Sequence, residues 1–299
     1  TYNSQCLELA DCVVVDVQCD YSKKHLGNLR TGEAEMGALE DTLRTIGQHI
    51  RPSCLVLIET TVAPGTTEFV AYPILKKAFA GRGITEAPLL AHWSFDEENA
   101  GIVIADATGN AGNTAVSGEA VPRKRGVHGA ALDLQGRHAL RIASFGAPEM
   151  DTITLSVWCR PTDLGGYREI LRQESGNRLL FSFQEDGALL SLGLDIGGYI
   201  ECDARIEAGN ALDGGWHHCA ATFDGQYMRV FLDGEEIGQL ERPGTIALQP
   251  DTPAYIGSSG GTGEHFQGLL DDLRVYAEPL SPETIAALHR DGAAALAKR

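Results

Sequence analysis

Ala87-Pro88-Leu89-Leu90-Ala91-His92-Trp93-Ser94-Phe95 can be read in two ways. Its middle, Leu89-Leu90-Ala91, suits a buried strand that ends the pattern before it, and the whole stretch suits the first strand of the pattern after it. Upstream, continuous apolar runs alternate with an apolar stripe at helical spacing; downstream, short alternating strands separated by Gly and Asp turns run almost to residue 299. The join divides the chain into 1–87 and 88–299. The expected fold is mainly β, a two-sheet antiparallel sandwich preceded by a partial α/β, Rossmann-like segment with parallel strands.

In the first part, Asp11-Cys-Val-Val-Val-Asp-Val17 and Cys54-Leu-Val-Leu-Ile58 are short unbroken apolar runs, as in strands covered on both faces. Between them Met36, Leu39, Leu43, Ile46 and Ile50 step along one helical stripe, and Pro52 helps end it. A polar stretch through Lys23, Lys24 and Gly27 precedes that helix. After the second strand, Glu59-Thr-Thr-Val-Ala-Pro-Gly-Thr-Thr-Glu68 leads into a helix that stops at Gly81 and Gly83, with Pro73 kinking it or delaying its start. Leu89-Leu90-Ala91 would be a third parallel strand, giving β-α-β-α-β. Thr60 and Thr61 fall at a strand's carboxyl edge, where α/β sheets bind ligands, and Thr66 or Thr67 can cap the next helix. Capping and turning alone would equally account for these threonines.

In the second part, Ile153-Thr-Leu-Ser-Val-Trp-Cys159 alternates, and Trp216–Phe223 and Met228–Leu232 end in Asp224-Gly225 and Asp233-Gly234, strong hairpin signals. Gly268–Tyr276 is a further strand, and Ser281-Pro282 opens a short final helix as N-cap and first position. Such strands over some 200 residues imply one β-sandwich.

The net charge is -17: residues 1–86 carry 8 basic and 11 acidic side chains, and the rest carry 16 and 30, a net of -14. That surface repels phosphate backbones and anionic lipid, so nucleic acid is a poor partner. No apolar run reaches the roughly 20 residues of a membrane-spanning helix. The chain starts at Thr1 rather than Met, without a basic-then-apolar leader, as expected of a processed chain or a fragment. The seven cysteines lack CxxC spacing; Cys12, Cys54 and Cys219 read as buried hydrophobes, and Cys159 and Cys219 could form one bridge in a secreted protein. His217 and His218 are strand neighbours that point to opposite faces, so they cannot chelate one ion; one is expected in the core and the other in solvent. Gly257–Gly263 is a long turn without the lysine of a phosphate loop. Tyr167, Tyr199 and Tyr227 suit either sugar stacking or rim packing.

Residues 1–92, through Ala10–Val17, Thr31-Gly-Glu33 and above all the Thr-Val-x-Pro-Gly-Thr motif within 59–68, resemble part of the NAD-binding domain of the UDP-glucose/GDP-mannose dehydrogenases. The resemblance implies NAD as cofactor, Thr60 and Thr61 as cofactor-binding residues, Thr61 beside the reacting centre, and a cytoplasmic location. Residues 1–86 hold no G-x-G-x-x-G, and Trp93-Ser-Phe-Asp-Glu97 stands where that family's next, acid-supplying block should follow. The family's catalytic lysine and nucleophilic cysteine have no counterpart downstream.

Residues 88–290, through Ala91–Glu97, Asp106–Asn110, Gly129–Gly136, Leu155–Pro161, Trp216-His-His218, Phe231–Gly234 and Gly268–Tyr276, resemble the laminin-G-like, concanavalin A-like lectin/glucanase jelly roll. That resemblance implies a carbohydrate or glycoprotein ligand and an extracellular or cell-surface setting, often bacterial. It implies a structural Ca2+ where the first and last strands meet, held by Asp96 and Asp272 with backbone oxygen near Gly136; Asp271 is the rival carboxylate, and ordinary surface carboxylates are the alternative. The glucanases of this kind carry a Glu-x-Asp-x-x-Glu strand that is absent here. The combined expectation is a non-catalytic carbohydrate- or glycoprotein-binding jelly roll fused to an incomplete dehydrogenase segment, with a second chain covering 1–87. The alternatives are an NAD-dependent nucleotide-sugar dehydrogenase completed upstream or by another chain, and a fusion without selected function.

Overall fold

The computed structural model describes residues 4–22, 33–51, 54–82, 89–97, 102–109, 115–143, 145, 150–174, 179–207, 210–247 and 252–298. Two compact units divide the chain, Thr1–Glu86 and Ala87–Arg299. Lys23, Lys24, Gly27, Thr31, Gly32, Pro52, Gly83, Ala87, Pro88 and Asn110 lie outside the described residues.

In the first unit Cys12–Val15 and Leu55–Ile58 run parallel, Cys12 opposite Leu55 and Val15 opposite Ile58. The helix Gly37–Gly47 turns its stripe inward: Leu39, Leu43, Ile46 and the following Ile50 are buried and form a small core with Val15 and Ala71. The helix Tyr72–Gly81 packs closely on it, because a Cβ at Gly47 would stand 2.6 Å from Ala78 Cβ. Arg82 donates from Nη1 to the carbonyls of Gly47 (2.9 Å) and Ile50 (2.7 Å), satisfying acceptors at the end of the first helix. Pro73 falls inside a continuous helical run: Thr67–Ala71 winds as a wide π turn and Tyr72–Gly81 continues it as an α-helix, so the widened turn sits directly before the residue that has no N–H to donate. The parallel sheet has only these two strands among the described residues. Leu89–Trp93, expected as its third strand, instead pairs antiparallel with Gln267–Tyr276 in the second unit, Trp93 opposite Leu273. The buried Ala91, Trp93 and Phe95 belong to that unit's core, so burial there decides between the two readings.

The second unit is a sandwich of two antiparallel sheets. One, the back sheet, orders Glu235–Glu241, Tyr227–Leu232, His217–Phe223, Ile153–Asp163 and Gln267–Tyr276; the edge of the last is shared by Ala130–Asp133, which leads to Arg123–Arg125, and by Leu89–Trp93. The other, the front sheet, orders Tyr199–Arg205, Leu189–Asp195, Leu179–Gln184, Arg168–Gln173, Ala254–Ile256, Leu140–Ile142, Ala115–Ser117 and Val103–Ile104. Alternate side chains from both sheets, among them Leu155, Val157, Phe181, Phe183, Leu192, Phe223, Val230 and Leu273, fill one continuous core. Asp233 (φ +52°) and Gly234 (φ +82°) both adopt left-handed backbone, as a two-residue hairpin turn requires. The helix Pro282–Ala297 starts where Ser281 Oγ accepts the Thr284 N–H, and it covers the outer side of the back sheet, with Gly292 against the Trp158 ring.

That covering helix corrects the reading of the histidine pair. Both rings are buried. His217 Nδ1 bonds Asp233 (2.9 Å) and Nε2 meets Asp213 (3.1 Å); the bond to Asp233 is the main reason its pKa rises to about 9. His218 bonds Ser156 Oγ (2.9 Å) and sits among the Trp158 and His289 rings, and burial pushes its pKa down to about 3.

Candidate functional site

On the front sheet, Leu140, Ile142, Leu171 and Ile256 point into the core, so their strand neighbours face outward. Register then lines up a row across four strands: Val116 opposite Arg141, Arg141 opposite Tyr255, and Tyr255 opposite Arg172. Directly opposed residues of this kind have Cβ atoms about 4.5–5.5 Å apart, so their side chains form one surface. Beside this row opens a cavity of about 280 Å³, lined by Val116, Glu119, Arg137, His138, Arg141 and Tyr255. The Gly257–Gly263 turn, expected only as a flexible connection, supplies its rim: Gly261 (φ +78°) lies against the Tyr255 ring, where a Cβ would stand 3.1 Å from Cε1.

Polar groups fill this side of the sheet. Arg137 Nη1 donates to Glu119 Oε1 (2.8 Å). His138 is buried; its Nδ1 is 3.3 Å from Glu119, and neither ring nitrogen makes a hydrogen bond among the described residues. Burial, seconded by the Arg137 charge, lowers the His138 pKa, so the ring is neutral near pH 7. Further along the row Arg172 meets three carboxylates, Glu169 (2.7 Å), Glu174 (3.3 Å) and Glu264 (3.4 Å). Glu169 is fully buried, and burial pushes its pKa up to about 8 against the opposing pull of Arg172, with Glu264 adding to the rise. Tyr199 Oη donates to Glu201 (2.7 Å) and its ring lies over Gly193, whereas Tyr167 is exposed and Tyr227 lies beside Arg229. The row was missed because residues 116, 141, 172 and 255 become neighbours only through pairing register.

At the meeting of first and last strands the carboxylates divide otherwise than expected. Asp272 is committed to protein partners: His92 Nε2 at 2.7 Å, and Arg274 at 3.1 Å from Oδ1 and 2.9 Å from Oδ2. Burial opposes its ionisation, but the His92 bond and the Arg274 charge outweigh burial and hold its pKa below the usual range. Asp271 faces Asp96 instead. The turn 126–130 wraps both: His128 N–H donates to Asp271 Oδ2 (2.8 Å) and Ala130 N–H to Asp96 Oδ1 (2.6 Å). Only glycine fits at 126 and 129, since a Cβ would stand 2.4 Å from Asp271 Oδ2 and 2.0 Å from Asp96 Oδ1. Asp271 Oδ1 is buried without a hydrogen-bond donor among the described residues, and burial, with the charges of Asp272 and Asp96, pushes the Asp271 pKa up to about 8. Gly136, expected to supply backbone oxygen here, packs instead against Gln267; the glycines at the carboxylates are Gly126 and Gly129. The described residues hold no group of three or more His, Cys, Asp or Glu arranged for a metal, so a cation here would rely on two carboxylates and backbone oxygen.

Thr60 is half-buried and Thr61 exposed just beyond Leu55–Ile58, at the carboxyl edge of the parallel pair. Gly65 makes the turn with φ +83°. The expected threonine cap is absent at Thr66, whose hydroxyl donates back to the Ala63 carbonyl (2.7 Å). In the other unit the Cys159 and Cys219 sulfurs lie 3.3 Å apart in the core.

Residues 135–286, just over half the chain, match the family described as the concanavalin A-like lectin/glucanases superfamily. The chain belongs to that superfamily. A stretch of 149 residues, 47% of the chain, is 28% identical to adhesion G-protein coupled receptor V1 of Danio rerio, and the chain spans 2% of that receptor's length. Domain 4 of AbnA, an extracellular arabinanase of Geobacillus stearothermophilus solved with arabinotriose, superposes with a TM-score of 0.55 over 68% of this chain and 99% of that domain, at 21% identity. The binding domain of Paraclostridial Mosquitocidal Protein 1 superposes with a TM-score of 0.54 over 68% of this chain and 52% of that one, at 14% identity. These likenesses establish the sandwich fold. The match lies in the second unit; a dehydrogenase-like NAD-binding segment is not shown.

Proposed function

We propose that this protein is an extracellular or cell-surface carbohydrate-binding module that holds a saccharide on the outward face of its front sheet. The observation that carries this reading is the cavity beside Tyr255, where an aromatic ring and the Arg137 and Arg141 side chains line a space of about 280 Å³. An aromatic face with a few placed polar groups is the usual composition of a small-molecule site, and sugar rings offer both C–H faces and hydroxyl groups to it. The family match and the arabinotriose bound by a domain of the same fold support the choice of ligand class. The test is a glycan array followed by titration of the best binder into wild type and Tyr255→Ala. The expected loss for Tyr255→Ala is about tenfold or more in affinity; failure of every glycan to bind removes the reading.

A structural Ca2+ fits the second unit at Asp96 and Asp271 rather than at Asp272. The Asp271 oxygen without a hydrogen bond among the described residues and the glycine cradle are the fit: one backbone turn holds the two carboxylates together. Bound there, the ion would supply that charge and tie the turn 126–130 to the first and last strands. A second reading, NAD-dependent oxidation of a nucleotide sugar by a larger assembly, draws on Thr60 and Thr61 at the parallel strand edge. NAD titration separates the two readings, since the binding module requires no affinity for the cofactor.

A further inference from the structure

We propose that the cavity beside Tyr255 selects saccharides that carry a carboxylate, with Arg141 as the recognising group. The inference rests on the carbohydrate reading of the same site and adds the charge of the ligand. Two arginines flank Tyr255 in the outward row, and the protein treats them in opposite ways. Arg172 is surrounded by Glu169, Glu174 and Glu264. Arg141 is exposed at the cavity and makes no ion pair or hydrogen bond among the described residues; its cross-strand neighbours are Val116 and Tyr255. The other charges lining the cavity are Arg137 and Glu119, which pair with each other at 2.8 Å. Its formal charge is therefore +1, on a part of the chain that carries 16 basic against 30 acidic residues. In so acidic a surface an unmatched guanidinium is where an anion would be held and a neutral sugar would gain least.

The chemistry of the group narrows the ligand. A guanidinium offers two parallel N–H donors that match a carboxylate, a geometry a lysine would not provide. Tyr255 offers a face for the sugar ring. The volume of about 280 Å³ is at the low end for ligand pockets, so it suits one sugar unit, with the rest of the chain running outside.

Matched pairs that differ in charge test this directly: trigalacturonate against its methyl ester, and 3′-sialyllactose against lactose, titrated into wild type, Arg141→Gln, Arg141→Lys and Tyr255→Ala. The acidic member of at least one pair is expected to bind about tenfold or more tightly than its neutral partner, and to weaken as salt rises. Arg141→Gln should remove that preference and Arg141→Lys restore part of it, while Tyr255→Ala weakens both members. Arg141 is exposed, so its variants keep the fold, which an unchanged melting curve verifies. Equal binding of acidic and neutral members, untouched by Arg141→Gln, overturns the charge selection and leaves the carbohydrate reading standing. Absence of binding by any saccharide overturns both.

Discussion

At Asp272 the backbone adopts φ +52° inside a bulge, where Ser156 pairs with Arg274 but Trp158 pairs with Asp271. The extra residue breaks simple alternation, and Asp271 and Asp272 consequently serve different neighbourhoods. A bulge has no signature in Leu-Leu-Asp-Asp-Leu, so strand periodicity alone does not say which of the two carboxylates lies beside Asp96. With a calcium ion between Asp96 and Asp271, excess Ca2+ should stabilise wild type by about 2–3 kcal/mol at ~100-fold over Kd. Asp271→Asn should lose that response, and Asp272→Asn should be destabilised with or without calcium because His92 and Arg274 lose their partner. Thermal melts with calcium and with chelator check this; a full calcium response in Asp271→Asn contradicts it. Glu169 makes a separate prediction. Its folded pKa of about 8 lies above the ordinary 4.5, so its contribution is fully present below pH 4.5 and is lost as pH rises through about 8. His217, raised to about 9 from 6.5, acts in the same direction over a higher window. Wild type should therefore melt progressively lower between pH 5 and 9 on these groups' account. Glu169→Gln should flatten the part of the fall below about pH 8 and leave the His217 part, by a few degrees in Tm; an unchanged slope would contradict the assignment.

Among the elements, those with a local cause were readable. Leu39, Leu43 and Ile46 mark a helix face, Asp233-Gly234 a tight hairpin and Ser281-Pro282 a helix start, and each is formed as expected. What could not be read depends on which elements meet. The final helix hides His218, so that neither histidine of the pair is left in solvent as alternation had one of them, and Leu89–Trp93 joins the sandwich because Ala91, Trp93 and Phe95 fill its core. The outward row of Val116, Arg141, Tyr255 and Arg172 is unreadable for the same reason, since four distant segments supply one residue each. The docking of the final helix gives a test. Gly292→Ala would place Cβ 2.2 Å from Trp158 Cζ2. The gain in helix propensity is about 1 kcal/mol, whereas overpacking a fixed ring costs typically 1–3 kcal/mol, so the clash should prevail. Urea unfolding should show a net loss of ~1 kcal/mol with altered Trp158 fluorescence; a more stable variant would show that the helix does not bear on Trp158.

The two units differ in how fully they bury their sheets. The sandwich surrounds a continuous core, whereas the parallel pair of the first unit leaves Val14 52%, Leu55 56% and Leu57 42% exposed. Parallel strands are ordinarily covered on both faces, so this pair lacks part of its usual stabilisation. Amide exchange at Cys12–Val15 and Leu55–Ile58 should accordingly be faster than at Ile153–Asp163 and His217–Phe223 in the isolated chain. Equal protection would mean that the small core suffices or that the face is covered in solution. The proposed saccharide site lies on the sandwich, on the outward face of its front sheet. Chemical-shift mapping of the isotope-labelled chain, titrated with the best binder from a glycan array, tests that claim most directly. The account predicts that shifts concentrate at Val116, His138, Arg141, Tyr255 and Gly261. Shifts confined to the first unit, or to the back sheet and its covering helix, would contradict it.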